Sequence, residues 1–434
     1  MSARADTPAT QQKQSMNVWS VSALGIGSMV GAGIFALLGQ AALMAGKDVY
    51  LSFLIGGVTA LLSGYSYARL AARYPTSGGI MDYFNRAFPS RIASGALSIV
   101  YLVTLIVTVA MIAKTFGAYA NRLMLGDASP HVFTNVFASA IVIVLVALNM
   151  IGSEAVGRAE VALVAIKLTI LVVLMLAGLP GIQPRMLTGG VGVDAATLLA
   201  SVGLTFFAYA GFGMMANAAG EVAAPEKTIP RAIVLAIGLV IVLYVGLSLV
   251  VLGNVSATDL ARFADTAVAE AARPVLGHAG FVIVSIGALL ATASAINATL
   301  FSALHISKGL AAERQLPEIF GRSSWGQGTQ GMVWAAAAML AMVNLLDLGA
   351  IANIAGANFL ISYLAVFVAH WRLRRDAGGS SLLIVAGFTL MAVVLAAFVA
   401  SLWKTQPVAI ALTLLVILAS AAVEGLLQRR RATP

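Results

Sequence analysis

Hydrophobic positions along the chain fall into long continuous blocks separated by short polar stretches. The blocks lie near 17–45, 49–72, 92–125, 132–151, 158–180, 194–219, 231–253, 278–311, 332–347, 350–371, 381–402 and 406–427. Each offers about the 20 apolar residues that a helix needs to cross a hydrocarbon core. The pattern predicts an all-α integral membrane protein with about twelve transmembrane helices. A spanning barrel would instead show segments of about ten residues with alternating polarity, and these blocks do not alternate. Residues 1–16 are polar, with no apolar core ahead of a cleavage site, and read as a disordered cytoplasmic tail rather than a signal peptide.

Most blocks are uniform runs of Leu, Val, Ile and Ala, but two are not. The first reads VSALGIGSMVGAGIFALLGQ, with Gly25, Gly27, Gly31 and Gly33 in its middle. The sixth reads LLASVGLTFFAYAGFGMMANAAGEV, with Gly211, Gly213 and Gly220. A glycine inside a helix costs about 1 kcal/mol relative to alanine, so such clusters mark places where a helix is built to break. The two blocks stand five spans apart. That spacing fits two inverted repeats, 17–180 for spans one to five and 194–371 for spans six to ten, because an odd number of helices reverses the second copy. The last two spans, 381–427, are then additions outside the repeats. Paired interruptions at matching positions point to a transporter's binding site.

A broken helix has its own chemistry. Unwinding around Gly31, Ala32 and Gly33 frees N–H groups at the positive end of a half-helix, a place suited to a carboxylate. Carbonyls upstream, around Gly27, Met29 and Val30, lose helical partners and become acceptors for an ammonium or a cation. Carbonyls near Phe207 and Ala210 in the sixth span add to them. A zwitterion fits such a site without any charged side chain.

Composition narrows the class further. The 434 residues are 60% hydrophobic and 10% charged, against about 25% charged in soluble domains. The net charge of +9 comes from 26 basic and 17 acidic residues. With the N-terminus placed in the cytoplasm, most of the basic residues fall in cytoplasmic segments, which predicts both termini inside a cell (plasma or inner) membrane. The basic surplus is thus a topology signal, and no nucleic-acid partner is expected. With no cysteine and four scattered histidines, neither a metal site nor a cofactor is expected, and no nucleophile or metalloprotease motif points to an enzyme. Nothing resembles the repeated pore loops of a channel.

Four stretches resemble the amino acid–polyamine–organocation transporter superfamily: GSMVGAGIF (27–35), ARLAARYPTSGGIMDYFNRAF (68–88), FFAYAGFG with GEVAAPEKTIPRAI (206–213 and 220–233), and ATASAINATLFSALHISKGLAAERQLP (291–317). They occur in the superfamily's order over about three quarters of the chain. The resemblance implies an amino acid permease with the LeuT-like fold of five plus five inverted helices. It implies that Gly31, Ala32 and Gly33 bind the substrate carboxylate, that carbonyls of Met29, Phe207 and Ala210 hold the ammonium, and that Phe207 gates the substrate. Gly213 stands where many members carry an acidic residue, so any function of that carboxylate is absent or moved.

Lys167 lies within VALVAIKLTILVVLMLAG, about nine residues past Arg158, or roughly 13 Å of helix. That depth is close to the bilayer centre, where a lysine costs at least about 2.5 kcal/mol and faces the protein interior. It resembles the fifth-helix lysine that some superfamily members carry in place of a sodium ion. The resemblance implies contacts with the carbonyls of Gly27 and Val30 and with a hydroxyl of the eighth helix, Ser294 or alternatively Thr292. Such an ammonium repels sodium, and burial eases its deprotonation, which makes it a candidate for coupling transport to protons. No acidic residue falls mid-span; Glu160, Asp194, Glu221 and Asp347 lie near ends. A cationic cargo would lack a partner, so the expected substrate is a neutral amino acid. A substrate exchanger, or a polyamine or cationic amino acid transporter of the same superfamily, remains the alternative. Asn297 and Asn358 suit helix–helix hydrogen bonds better than substrate contacts.

Overall fold

The computed structural model describes residues 16–76, 78–151, 157–188, 192–222, 224–324 and 328–432, so the expected tail lies outside the described residues apart from Met16. Helices α1 (Val18–Ala32) and α2 (Ile34–Ala45) run end to end as the first span, and α3 (Val49–Arg73) is the second. The short α4 (Ile80–Ala87) precedes α5 (Arg91–Leu125), α6 (Val132–Ile151) and α7 (Gly157–Gly178), spans three to five. After α8 (Pro184–Thr188), α9 (Ala195–Tyr209) and α10 (Gly213–Asn217) make up span six. Span seven is α11 (Pro225–Asn254), followed by the short α12 (Ala257–Arg262) and by α13 (Ala267–Ala312), span eight. The last four spans are α14 (Gln330–Leu345), α15 (Leu348–Ala377), α16 (Ser381–Thr405) and α17 (Pro407–Ala432).

Among the described residues, ten helical stretches are long and apolar enough to cross a bilayer, one of them joining α2 to α3, and two shorter apolar helices cover Val18–Gly31 and Gln330–Leu345. This is a multi-pass membrane protein of about twelve helices. Its outward faces agree: Val136, Ile143 and Val144 on α6, Val234 and Val242 on α11, and Leu414, Leu415 and Leu418 on α17 are all exposed. Water would disfavour so continuous an apolar surface, whereas lipid chains match it. The long α5 is buried along most of its length and packs against α6, α13, α15 and α17.

Two features depart from the sequence expectation. Hydropathy sets span eight near 278–311, but α13 already begins at Ala267 and bends at Gly277, whose φ of 70° is one that glycine adopts at little cost. The part before the bend sits over the bundle end, where the preceding turn crosses α2 so closely that a Cβ on Gly39 would lie 1.9 Å from the Ala264 carbonyl oxygen. The second departure is Glu424 on α17, near the end of span twelve. It is fully buried against α5, where a Cβ on Gly95 would come within 2.6 Å of its carboxyl carbon.

Each end of the bundle is tied by polar contacts. At the end that carries Met16, its N–H donates to the Glu221 carbonyl (3.1 Å), Asn85 on α4 donates to Glu313 (2.8 Å), and Gln315 donates to Asn85 (3.0 Å). At the opposite end Gln40 of α2 donates to Asp265 (2.7 Å), and Arg122 and Arg273 share Glu270 and Asp127 in a four-member ion network. Arg122 also lies 3.3 Å over the Phe263 ring.

Candidate functional site: two breaks packed backbone to backbone

The first span breaks at a single residue. Gly33 has φ −85° and ψ −78°, between α1 and α2, and its N–H donates to the Met29 carbonyl at 2.8 Å while its own carbonyl accepts from Leu37 at 2.9 Å. Gly31 and Ala32 remain in α1, so the unwinding expected across 31–33 is confined to Gly33. The sixth span yields over a longer stretch. Helix α9 ends at Tyr209, a 3₁₀ turn covers Ala210–Phe212, and α10 follows, with a second 3₁₀ turn at Ala218–Glu221.

Glycine is needed here because the two breaks touch through their backbones. A Cβ on Gly33 would sit 2.4 Å from the Ala208 carbonyl oxygen. Reciprocally, a Cβ on Gly211 would sit 2.6 Å from the Met29 nitrogen. Aromatic side chains pack around the junction. Phe207 stacks on Phe359 of α15, with centroids 4.9 Å apart, and Phe359 meets Tyr101 and Tyr363. Tyr363 packs edge-on against Phe206 and Phe212 and lies against Tyr67, which in turn meets Tyr83 on α4. Phe35 and Tyr119 form a further edge-on pair. Met29, Val30, Gly31, Gly33, Phe207 and Ala210 are all buried.

The acceptors singled out from the sequence already have donors. The Met29 carbonyl takes the Tyr244 hydroxyl at 2.8 Å besides the Gly33 N–H. The Ala210 carbonyl takes the Tyr363 hydroxyl at 2.6 Å, and the Phe207 carbonyl takes the Ala210 N–H. A carbonyl has two lone pairs, and both are taken at Met29 by the Gly33 N–H and Tyr244 and at Ala210 by the Gly213 N–H and Tyr363, so an incoming ammonium displaces one of these donors. The sequence reading missed both tyrosines. A usable signal existed, because a phenol in an apolar span must find a partner for its hydroxyl.

Lys167 is buried in α7 and its ammonium donates to the Gly27 carbonyl at 2.6 Å. It stands 3.4 Å from where a Cβ on Gly31 would lie, and that same Cβ would be 2.8 Å from the Ala295 methyl of α13. Spans one, five and eight therefore meet at this lysine. Ser294 is buried on α13, while Thr292 turns its hydroxyl back to the Ala288 carbonyl of its own helix (2.7 Å). Asn297 pairs with Asn149 of α6 at 2.7 Å, a helix–helix bond. Asn358 is fully buried on α15, but neither its amide nitrogen nor its oxygen has a hydrogen-bond partner among the described residues, so the helix–helix bond expected for it is not formed. Among the described residues no group of acidic, histidine or cysteine side chains is arranged to hold a metal ion.

A family model described as amino acid permease matches residues 16–422, nearly the whole of this bundle. The chain belongs to the amino acid permease family of the amino acid–polyamine–organocation superfamily. The permease is 44% identical over 399 residues to the inner membrane transport protein YbaT of Escherichia coli, covering 92% of this chain and 93% of that one. It is 33% identical over 382 residues to the uncharacterized protein MJ0609 of Methanocaldococcus jannaschii, covering 88% and 87%. A more distant relative, the branched-chain amino acid permease BcaP of Bacillus subtilis, is 26% identical over 247 residues, about half of each chain. The permease is therefore a membrane transporter of small molecules and not an enzyme.

Proposed function

We propose that this permease carries neutral amino acids as zwitterions by alternating access, in symport with protons, through two inverted five-helix repeats with both termini cytoplasmic. The substrate carboxylate binds at the start of α2, against Gly31, Ala32 and Gly33, where the half-helix dipole favours an anion. Its ammonium takes the carbonyls of Met29, Phe207 and Ala210, displacing the Gly33 N–H at Met29 and the Tyr363 hydroxyl at Ala210. Phe207, Phe359 and the small Ala210 give the side-chain compartment an apolar wall, which supports an uncharged cargo, and BcaP supports the same class by relation.

The observation that carries the coupling reading is the 2.6 Å contact from Lys167 to the Gly27 carbonyl, one turn ahead of Gly31. An ammonium donating to a carbonyl forms a charge-assisted bond of about 1.5–3 kcal/mol. Proton loss removes most of that tie between α7 and α1 and lets the first span move, with Val30 and Ser294 in the same coupling site. Proteoliposomes test this. Wild-type protein accumulates a neutral amino acid when the outside is made acidic, whereas Lys167→Ala loses gradient-driven accumulation while retaining counterflow. Undiminished accumulation by Lys167→Ala refutes the role of this lysine.

A further inference from the structure

Span seven contributes one polar group to the junction of the two breaks. The Tyr244 hydroxyl of α11 lies 2.8 Å from the Met29 carbonyl oxygen of span one and 3.4 Å from the Ala208 carbonyl oxygen of span six. The same Ala208 oxygen is the atom that Gly33 approaches, and a Cβ on Gly33 would stand 2.5 Å from the Tyr244 hydroxyl. The glycine thus makes room for a carbonyl and a phenol together.

We propose that Tyr244 is a positioning residue: its hydroxyl staples the Met29 carbonyl of span one to the Ala208 carbonyl of span six, so that the two breaks keep the acceptor spacing that recognises the substrate ammonium. The inference rests on the zwitterion site proposed above and extends it to a third span. Three observations support a fixed staple over a swinging side chain. The ring is completely buried. It packs against Tyr209 at 5.0 Å and edge-on against Phe53 at 5.6 Å. Tyr209 is itself anchored by a hydroxyl bond to the Phe53 carbonyl at 3.0 Å. A phenylalanine would fill this apolar niche equally well, and burying a hydroxyl costs free energy unless it is bonded. The hydroxyl is therefore explained by the carbonyls it holds. Without it, two partially negative oxygens face each other in a dry interior and move apart.

The test compares Tyr244→Phe with Tyr209→Phe, which removes an equally buried hydroxyl that touches neither break. The ligand is whichever of the twenty amino acids raises the wild-type melting temperature most, and the readouts are its Kd in detergent and the KM and kcat of uptake in proteoliposomes. Losing the buried hydrogen bond that joins the two breaks predicts that Tyr244→Phe raises Kd and KM about tenfold, with kcat kept within about twofold. Tyr209→Phe keeps the wild-type Kd even where its melting temperature falls. A wild-type or tighter Kd for Tyr244→Phe overturns the staple, because the hydroxyl would then be idle or a competitor of the ammonium. An equal loss in Tyr209→Phe overturns it too, since generic packing would account for both. If no amino acid shifts the wild-type protein, the zwitterion site itself fails and the staple fails with it.

Discussion

Replacing Gly33 by alanine adds one methyl group at the tightest point of the junction. It would meet the Ala208 carbonyl oxygen at 2.4 Å, the Tyr244 hydroxyl at 2.5 Å and the Met29 carbonyl oxygen at 2.7 Å. All three distances lie far inside ordinary contact. Overpacking of this kind costs about 1–3 kcal/mol. The upper half of that range applies because two of the three obstacles are backbone atoms of different spans, which cannot rotate aside. A penalty of about 2–3 kcal/mol corresponds to roughly 30- to 150-fold in any equilibrium that needs the two breaks in contact. Thermal melting in detergent and substrate binding should both register it. Gly238→Ala in α11 is the matched control. Nothing lies within 4 Å of a Cβ there, so alanine should leave binding unchanged and stabilise by up to about 1 kcal/mol through helix propensity. Combining Gly33→Ala with Tyr244→Phe removes one of the three clashes. The double variant should therefore recover part of the stability lost by Gly33→Ala, a non-additivity expected only of residues in contact. A Gly33→Ala protein with wild-type melting and binding, or a strictly additive double variant, would refute the backbone-to-backbone packing.

The ion network at the end opposite Met16 should divide by burial. Arg122→Ala leaves Glu270, whose side chain is only 13% exposed, without its shortest partner and should cost about 3 kcal/mol in thermal or denaturant unfolding. Arg273→Ala, whose side chain is 31% exposed, should cost less than about 1 kcal/mol, and equal losses would contradict this ranking. Asn149→Ala, which deletes the bond to Asn297, should lower stability by about 1 kcal/mol without changing substrate affinity, as measured by melting and binding. A large loss of affinity there would move Asn297 into the substrate site.

Hydropathy made the spans legible because lipid imposes a one-dimensional rule: a helix must be apolar over its crossing length whatever it packs against. Glycine density located both breaks for a similar reason, since helix propensity is local. What the sequence leaves open depends on other elements. The width of the first break is one such property. Gly31 and Ala32 stay helical because the Met29 carbonyl keeps the Gly33 N–H, and only the approach of Ala208 shows why Gly33 alone must depart from the helix. A tyrosine in an apolar span announces that its hydroxyl has a partner, but not which one: Tyr244 and Tyr363 lie 215 and 153 residues from the carbonyls they hold. Glu424 escaped for the complementary reason. Near a helix end it reads as a solvated charge, and only the bare backbone of Gly95, which gives it room against α5, shows that it is inside. Lys167 was legible because a charge at mid-bilayer is expensive anywhere in a helix, but its contact with Gly27 required span one to lie beside span five. The same dependence bears on motion. The Met29 carbonyl is held from span seven, the neighbouring Gly27 carbonyl from span five, and Gly31 abuts span eight. Any displacement of the first span must therefore break the lysine contact, the tyrosine contact or both, unless spans five and seven both travel with it. Under the coupling proposed above, proton loss is what releases the lysine from its carbonyl, whereas the tyrosine sits in a ring-packed niche. On that proposal span one separates from span five more easily than from spans six and seven, to which the Tyr244 contacts tie it.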